Sequence, residues 1–429
     1  LTLPLKEPLS FDIVGTVSVY VPDLLLLALF IAIMSDSVHR RTLSRSMSLR
    51  PLLIILALSV AGLYTATRFF WGVTSVYRLA ILVMVFCVGR VLVTDRDEAL
   101  KTLLLVAASL IPPVLVGLQQ ATLPYGAELP DWGSVYTAYD ASGVPSHRVF
   151  STLNHPLNFS HYLTVGFALS LGLATCVKGA GRRIGLFVTA AAAAFTNLYT
   201  YSAGGLLGML AAVGSLILVR RSGKLIAVVL AALIILALVA PPALVSKVER
   251  LFTGEALTAA ARVVTYEQSF LVMRDHPLFG LGWGSIRSSL EHTYRISRAD
   301  PVAFTAENYF LQRVIALGFI GLAMYVWAWV AFAGNIRALG RKRPRNSLDP
   351  VTAGMIVCSV AFLAQAQVIP ATNVSPNSVL WLMFAIAESL RRVAPEDIAP
   401  STGTTERGSR EATPTALKPD DPRDRGTCQ

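Results

Sequence analysis

Apolar runs of about 17–25 residues recur along most of the chain, each long enough to cross a hydrocarbon layer roughly 30 Å thick. Hydropathy predicts about eleven spans, at 12–34, 51–69, 77–94, 100–118, 156–177, 183–201, 203–219, 224–246, 308–334, 351–370 and 376–391. The period-two alternation of a membrane β-barrel is absent. The pattern predicts an all-α polytopic membrane protein over residues 1–392, with tight helical hairpins near Ser202 and Asn373. Composition agrees: 54% of residues are hydrophobic and 15% are charged, against about a quarter charged in a soluble domain.

Charge orients the spans. The net charge of +11 sits in short connectors such as Arg40-Arg41, Arg182-Arg183, Arg220-Arg221 and Arg341-Lys342-Arg343. That distribution is the one retained on the cytoplasmic side, and it argues against nucleic-acid binding. The connectors at 35–50, 95–101, 178–183, 220–224 and 335–350 are then cytoplasmic. Two long loops, 119–155 and 247–307, face outward, and the C-terminus lies inside. An odd count puts the N-terminus outside, which points to a first helix absent from this sequence, twelve in all, or to a count one too high. Residues 393–429 are rich in Pro, Thr, Glu, Asp, Arg and Gly and are expected to form a disordered cytoplasmic tail. The four cysteines, Cys87, Cys176, Cys358 and Cys428, have no metal-ligand spacing.

Ionisable residues at a span mouth are costly, so each is a functional candidate. Around the first outward loop these are Arg148, His155 and His161. Around the second they are Arg262, Glu267, Arg274, Asp275, His276 and Glu307. Guanidinium forks match phosphate oxygens and keep their charge, so arginines facing an outward cavity suit a diphosphate. A carboxylate or imidazole beside them can take a proton from an attacking hydroxyl. Plainer roles stand beside these. Arg148 and Arg262 could snorkel to the interface, and Arg274 could pair with Asp275. His276-Pro277 could open a turn that Gly280 and Gly282 let pack closely. Glu307 could suit the dipole of a starting helix. No phosphate loop, dinucleotide fingerprint or nucleophile elbow is present.

Three stretches resemble the O-antigen ligase and O-antigen polymerase superfamily of bacterial envelope glycan enzymes. The first is Arg148 through Asn158, an arginine ahead of an Asn-Pro-Asn-like turn. The second is Arg262 through Gly282, with Tyr266 at the aromatic place before Pro277-Leu278-Phe279-Gly280-Leu281-Gly282. The third is Glu307-Asn308 followed by Gly318-Phe319-Ile320-Gly321, which departs from the ligase signature at Glu307, where that signature has histidine. Ala203 also follows Ser202 where many relatives carry arginine.

The resemblance implies transfer of a glycan from an undecaprenyl-diphosphate carrier to an acceptor hydroxyl at the outer face of the inner membrane, without nucleotide or metal cofactor. Arg148, Arg262 and Glu307 would be catalytic, the arginines holding the diphosphate and the carboxylate acting as base. Asn308, His155, Arg274, Tyr266 and His276 would line the substrate site, and Gly280, Gly282, Gly318 and Gly321 would form structural turns. Polymerase and ligase would differ only in acceptor. The competing readings are a lipid-linked glycan flippase and a non-catalytic scaffold. A flippase would spread charge through several spans and show paired half-helices, whereas charge here gathers in the outward loops.

Overall fold

The computed structural model describes residues 10–14, 17–123, 137–139, 143–153, 155–220, 231, 238–253, 257–293, 308–341, 349–368 and 374–393. Among the described residues the fold is helical, with two short antiparallel hairpins. The first pairs β1 (Ser10–Val14) with β2 (Val17–Tyr20), and the second pairs β3 (Thr137–Tyr139) with β4 (Pro145–His147).

The first half holds α1 (Val21–Ser35), α2 (Ser37–Ser44), α3 (Leu49–Ala61), α4 (Phe69–Leu92), α5 (Arg96–Ala108) and α6 (Ile111–Thr122). The centre holds α7 (Pro156–Ala174), α8 (Ala180–Leu198) and α9 (Ala203–Arg220). Then come α10 (Pro242–Thr253), α11 (Leu257–Asp275), α12 (Ile286–His292), α13 (Tyr309–Arg341), α14 (Pro350–Ala366) and α15 (Val374–Val393).

Several expected spans take a different form. The first begins at Val21, after a hairpin rather than within a helix. The expected connector at 35–50 contains α2, because Asp36 accepts a hydrogen bond from the Val38 amide and starts a new helix at 95° to the first. The span expected at 100–118 is the pair α5–α6. Ser109 and Leu110 interrupt it, and Pro112 and Pro113 occupy the first turn of α6, where a missing amide costs little. The loop expected at 247–307 contains α11 and α12 and the end of α10, which begins at Pro242. The expected span at 224–246, the turn at Asn373 and the tail from 394 onward lie largely or wholly outside the described residues.

Four described segments are long and apolar enough to cross a membrane: α4, Arg96–Thr122, α9 and α13, with the bent α1–α2 pair a fifth. α3 and α14 are apolar but shorter. α7 has the length of a span, yet Ser160, His161, Thr164 and Ser170 dilute its apolar residues, and all four are buried. The reason is position. α7 packs against α8, α9 and α14, so its polar side chains meet protein rather than lipid.

Helix contacts set the two ends of the bundle. α7 and α14 run antiparallel, since Gly172 approaches Gly354 while His161 lies 4.9 Å from Phe362, ring to ring. Asn308, at the start of α13, bonds to Gln367 at the end of α14. The starts of α7 and α13 and the end of α14 therefore share one end, with Arg148. The opposite end carries Glu388, which accepts from the Ser46 hydroxyl at 2.9 Å and the Ser48 amide at 3.2 Å. Between them runs an aromatic seam. Phe332 stacks on Phe384 at 4.3 Å, Trp381 meets Phe384 edge-on at 5.0 Å, and Tyr309 meets Phe362 edge-on at 5.5 Å.

Candidate functional site

At the Arg148 end, the chain before α7 is tied down by side chains that bond backbone. Gln120, buried near the end of α6, accepts from the Phe150 and Ser151 amides at 3.2 and 2.8 Å. Its Nε2 returns a bond to the Ser151 carbonyl at 3.4 Å. The Ser151 hydroxyl donates to the Pro113 carbonyl at 2.7 Å. Ser151 holds φ at +52°, a strained conformation that persists because these bonds over-determine it. The Val149 amide donates to the Tyr199 carbonyl at 2.9 Å. Arg148 Nε donates to the Thr200 carbonyl at 3.1 Å. A single polar side chain on α6 and the α8–α9 turn thus fix where Arg148 stands.

His155 caps α7, its Nδ1 accepting from the Leu157 amide at 3.1 Å. Burial, and then the nearby charge of Arg148, lower its pKa to about 4. Near neutral pH the imidazole is uncharged beside the guanidinium. On the neighbouring turn Ser202 accepts from the Gly205 amide at 3.2 Å and caps α9, so the hairpin expected at Ser202 is present.

The second and third signature stretches form one unit. α13 is broken at Gly318, which holds φ +66° and ψ −172°. The break frees the carbonyls of Ile315 and Ala316, which accept from the Leu281 and Gly282 amides at 2.8 and 3.0 Å. In return the Phe319 amide donates to the Pro277 carbonyl at 2.8 Å. Gly280 sits at φ +65°, and a Cβ there would meet the Ile315 carbonyl oxygen at 2.5 Å; a Cβ on Gly318 would strike the Leu278 carbonyl. Gly282, at φ +76°, faces the Gly62 carbonyl. Each glycine removes the atom that would hold the other strand away. Irregular backbone here is tolerable because the amides and carbonyls freed by the break pair across it. Gly321 packs close to Leu317 one turn away.

The remaining expected site residues divide. Asn308 Oδ1 accepts from the Phe310 and Leu311 amides, both at 3.0 Å, and its Nδ2 donates to the Gln367 carbonyl at 3.1 Å. It caps α13 and joins it to α14. Arg274 pairs with Asp275 at 3.1 Å on the exposed end of α11, and His276 beside them is exposed. Tyr266 is half-buried on the same helix. Arg262 lies on α11 by its backbone, its side chain outside what is described. Glu307 and Asn154 lie outside the described residues.

Two residues escaped the sequence reading. Gln120 is the second of two adjacent glutamines near the end of α6, and Arg313 is a charge in the second turn of an expected span. Arg313 carried the signal of a charge where lipid or core was expected; Gln120 fell in the expected outward loop 119–155 and carried none.

Residues 187–326 match the family model described as O-antigen ligase. The resemblance to the O-antigen ligase and polymerase superfamily holds over this stretch. No curated protein matches the chain. The matched stretch covers about a third of the 429 residues, from α8 into α13. It contains the α8–α9 turn on which Arg148 rests, all of α11 and the glycine interlock. Arg148, His155 and Gln120 precede it. Together with the apolar helices, the match supports a multi-pass membrane protein similar to O-antigen ligases.

Proposed function

We propose that the protein transfers a glycan from an undecaprenyl-diphosphate carrier to an acceptor hydroxyl at the Arg148 end of the bundle, on the extracytoplasmic face of the bacterial inner membrane. The O-antigen ligase match over residues 187–326 carries this reading. The acceptor oxygen attacks the anomeric carbon, the bond from that carbon to the diphosphate oxygen breaks, and the electron pair leaves on the diphosphate. Configuration at the carbon inverts. Arg148 and Arg262 hold the departing diphosphate. Glu307 takes the proton from the acceptor hydroxyl. No nucleotide or metal enters these steps. Asn308 fixes the first turn of α13.

An apolar groove supports a lipid-borne donor. It encloses about 580 Å³ between α5–α6 and α8, from Arg182 at one end to Leu118 at the other. Leu118 lies two residues before Gln120, so the groove ends close to the segment carrying Arg148. A long polyprenyl chain could lie along it with its diphosphate at the guanidinium.

The test is turnover of a lipid-diphosphate-linked glycan by purified protein, wild type beside Arg262→Ala and Arg148→Ala. Release of undecaprenyl diphosphate that falls at least about 100-fold in either variant is expected, the scale seen when one charge-stabilising group is removed. Product length then divides polymerase from ligase. Folded protein that releases none from any donor tried would return the flippase or scaffold reading.

A further inference from the structure

Arg313 lies in the second turn of α13 and is only 5% exposed. Its guanidinium carbon stands 4.5 Å from the Tyr309 ring centroid, 4.7 Å from that of Trp283 and 5.2 Å from that of Tyr325. Tyr309 and Tyr325 are also its electrostatic partners, and its Nε has no hydrogen-bond partner among the described residues. Among the described residues no carboxylate pairs with it. Buried guanidinium groups are ordinarily paired with an anion, because desolvation of a lone charge is costly. Here three ring faces replace the anion, and cation–π attraction strengthens where water is excluded.

One wall of the cage is not on a spanning helix. Trp283 belongs to the turn of the glycine interlock, and its Nε1 donates to Ser59 on α3 at 3.2 Å. The next residues are held by the α3–α4 connector. The Arg68 amide donates to the Gly284 carbonyl at 3.0 Å, and the Thr67 amide donates to Ser285 Oγ at 3.2 Å. On its other side the turn has the two backbone bonds to Ile315 and Ala316. Arg313 is the side-chain link from α13 to Trp283, across the gap that those backbone bonds span.

We propose that Arg313 is a positioning residue, a caged cation that pins the turn Gly280–Ser285 between α3 and α13 and so sets the position of α11, which leads into the turn and carries Arg262. The pin explains a buried charge that has no carboxylate partner among the described residues: a carboxylate would satisfy Arg313 locally and would not reach the turn. The kinetic consequence rests on the function proposed above. A loosened turn spends less time in the arrangement that receives the donor, and binding is weakened by that fraction. Once donor is bound the arrangement is restored, so the chemical step is little changed.

Hydrogen exchange and kinetics on the full-length protein test this together. In Arg313→Met, exchange in peptides covering 277–285 should speed at least about tenfold, while peptides from α14 stay as in wild type. Arg313→Lys, which keeps a cation among the rings, should restore most of the protection. With the lipid-linked donor, Arg313→Met should raise KM about tenfold and leave kcat within about threefold. Unchanged exchange in the turn, a rise spread evenly over the bundle, or a lysine variant no better than methionine would each overturn the proposal. A fall in kcat with KM unchanged would overturn it too, by placing Arg313 at the reacting atoms. If Arg313→Met does not fold, Trp283→Leu removes the opposite half of the pin and must give the same local pattern. Should wild type show no turnover while the exchange pattern holds, the glycosyl-transfer reading fails and the positioning role stands.

Discussion

At the scale of single residues, Gly318 and His155 make opposite demands. Gly318 must stay without a Cβ. Alanine there would be strained at φ +66° and would strike the Leu278 carbonyl. We expect Gly318→Ala to cost about 1–3 kcal/mol or more, read as a lowered thermal midpoint in detergent. Gly334→Ala on the same helix, where nothing lies within 4 Å of the new methyl, should be neutral or slightly stabilising. His155 matters through its proton. Its pKa is lowered from 6.5 to about 4, so the unfolded chain binds the proton more readily than the folded one. The resulting stabilisation is complete above about pH 6.5 and is lost as pH falls through about 4. In His155→Asn, which still caps the helix, the midpoint should fall less between those pH values than in wild type. An equal fall would assign the acid sensitivity to other groups.

At the scale of elements, the end of the bundle opposite Arg148 is closed by charge. Glu388, on α15, accepts from Ser46 and Ser48 at the α2–α3 junction and lies 3.9 Å from Arg90 Nε on α4 and 3.4 Å from Arg392. Arg90 in turn donates to Ser389 at 2.9 Å. Four elements meet on one buried carboxylate. Removing only its charge leaves Arg90 buried without its anion, so Glu388→Gln should cost on the order of 3–5 kcal/mol. Adding Arg90→Met should recover much of that loss, because a well-packed apolar pair can replace a buried ion pair. Thermal unfolding of both variants decides it, and a double variant less stable than the single would contradict the charge argument. The Arg148 end is built differently. Its ties run from side chain to backbone through Gln120, Ser151 and Asn308, and Arg148 itself is held through Nε by the Thr200 carbonyl.

At the scale of the whole molecule, the two arrangements give a bundle clamped by a buried carboxylate at one end and tied through backbone bonds at the other, with an apolar groove along its side. If the groove holds the carrier, filling it should discriminate by chain length. Val188→Trp, on the groove wall, should raise KM several-fold for a long polyprenyl donor and leave a short-chain analogue nearly unaffected, since only the long chain loses buried apolar area. Equal effects on both donors would place the carrier elsewhere.

The class of the protein was determined by sequence alone. Apolar runs and the placement of basic residues need no tertiary contact to be read, because lipid forces backbone polar groups into helices whatever the side chains do. The glycine signatures and the O-antigen ligase resemblance were legible for the same reason: each is carried by residue type and order. Span count was not, because hydropathy predicts α7 as a span without showing that it packs inside other helices. The partnership of Gly280 with Gly318 was also invisible, since it joins backbone positions far apart in sequence through atoms that are missing rather than present. So was the cage around Arg313. Tyr309 and Tyr325 share its helix, but Trp283 comes from a turn that only folding brings across, and the electrostatic meaning of a charge depends on what surrounds it once water has gone.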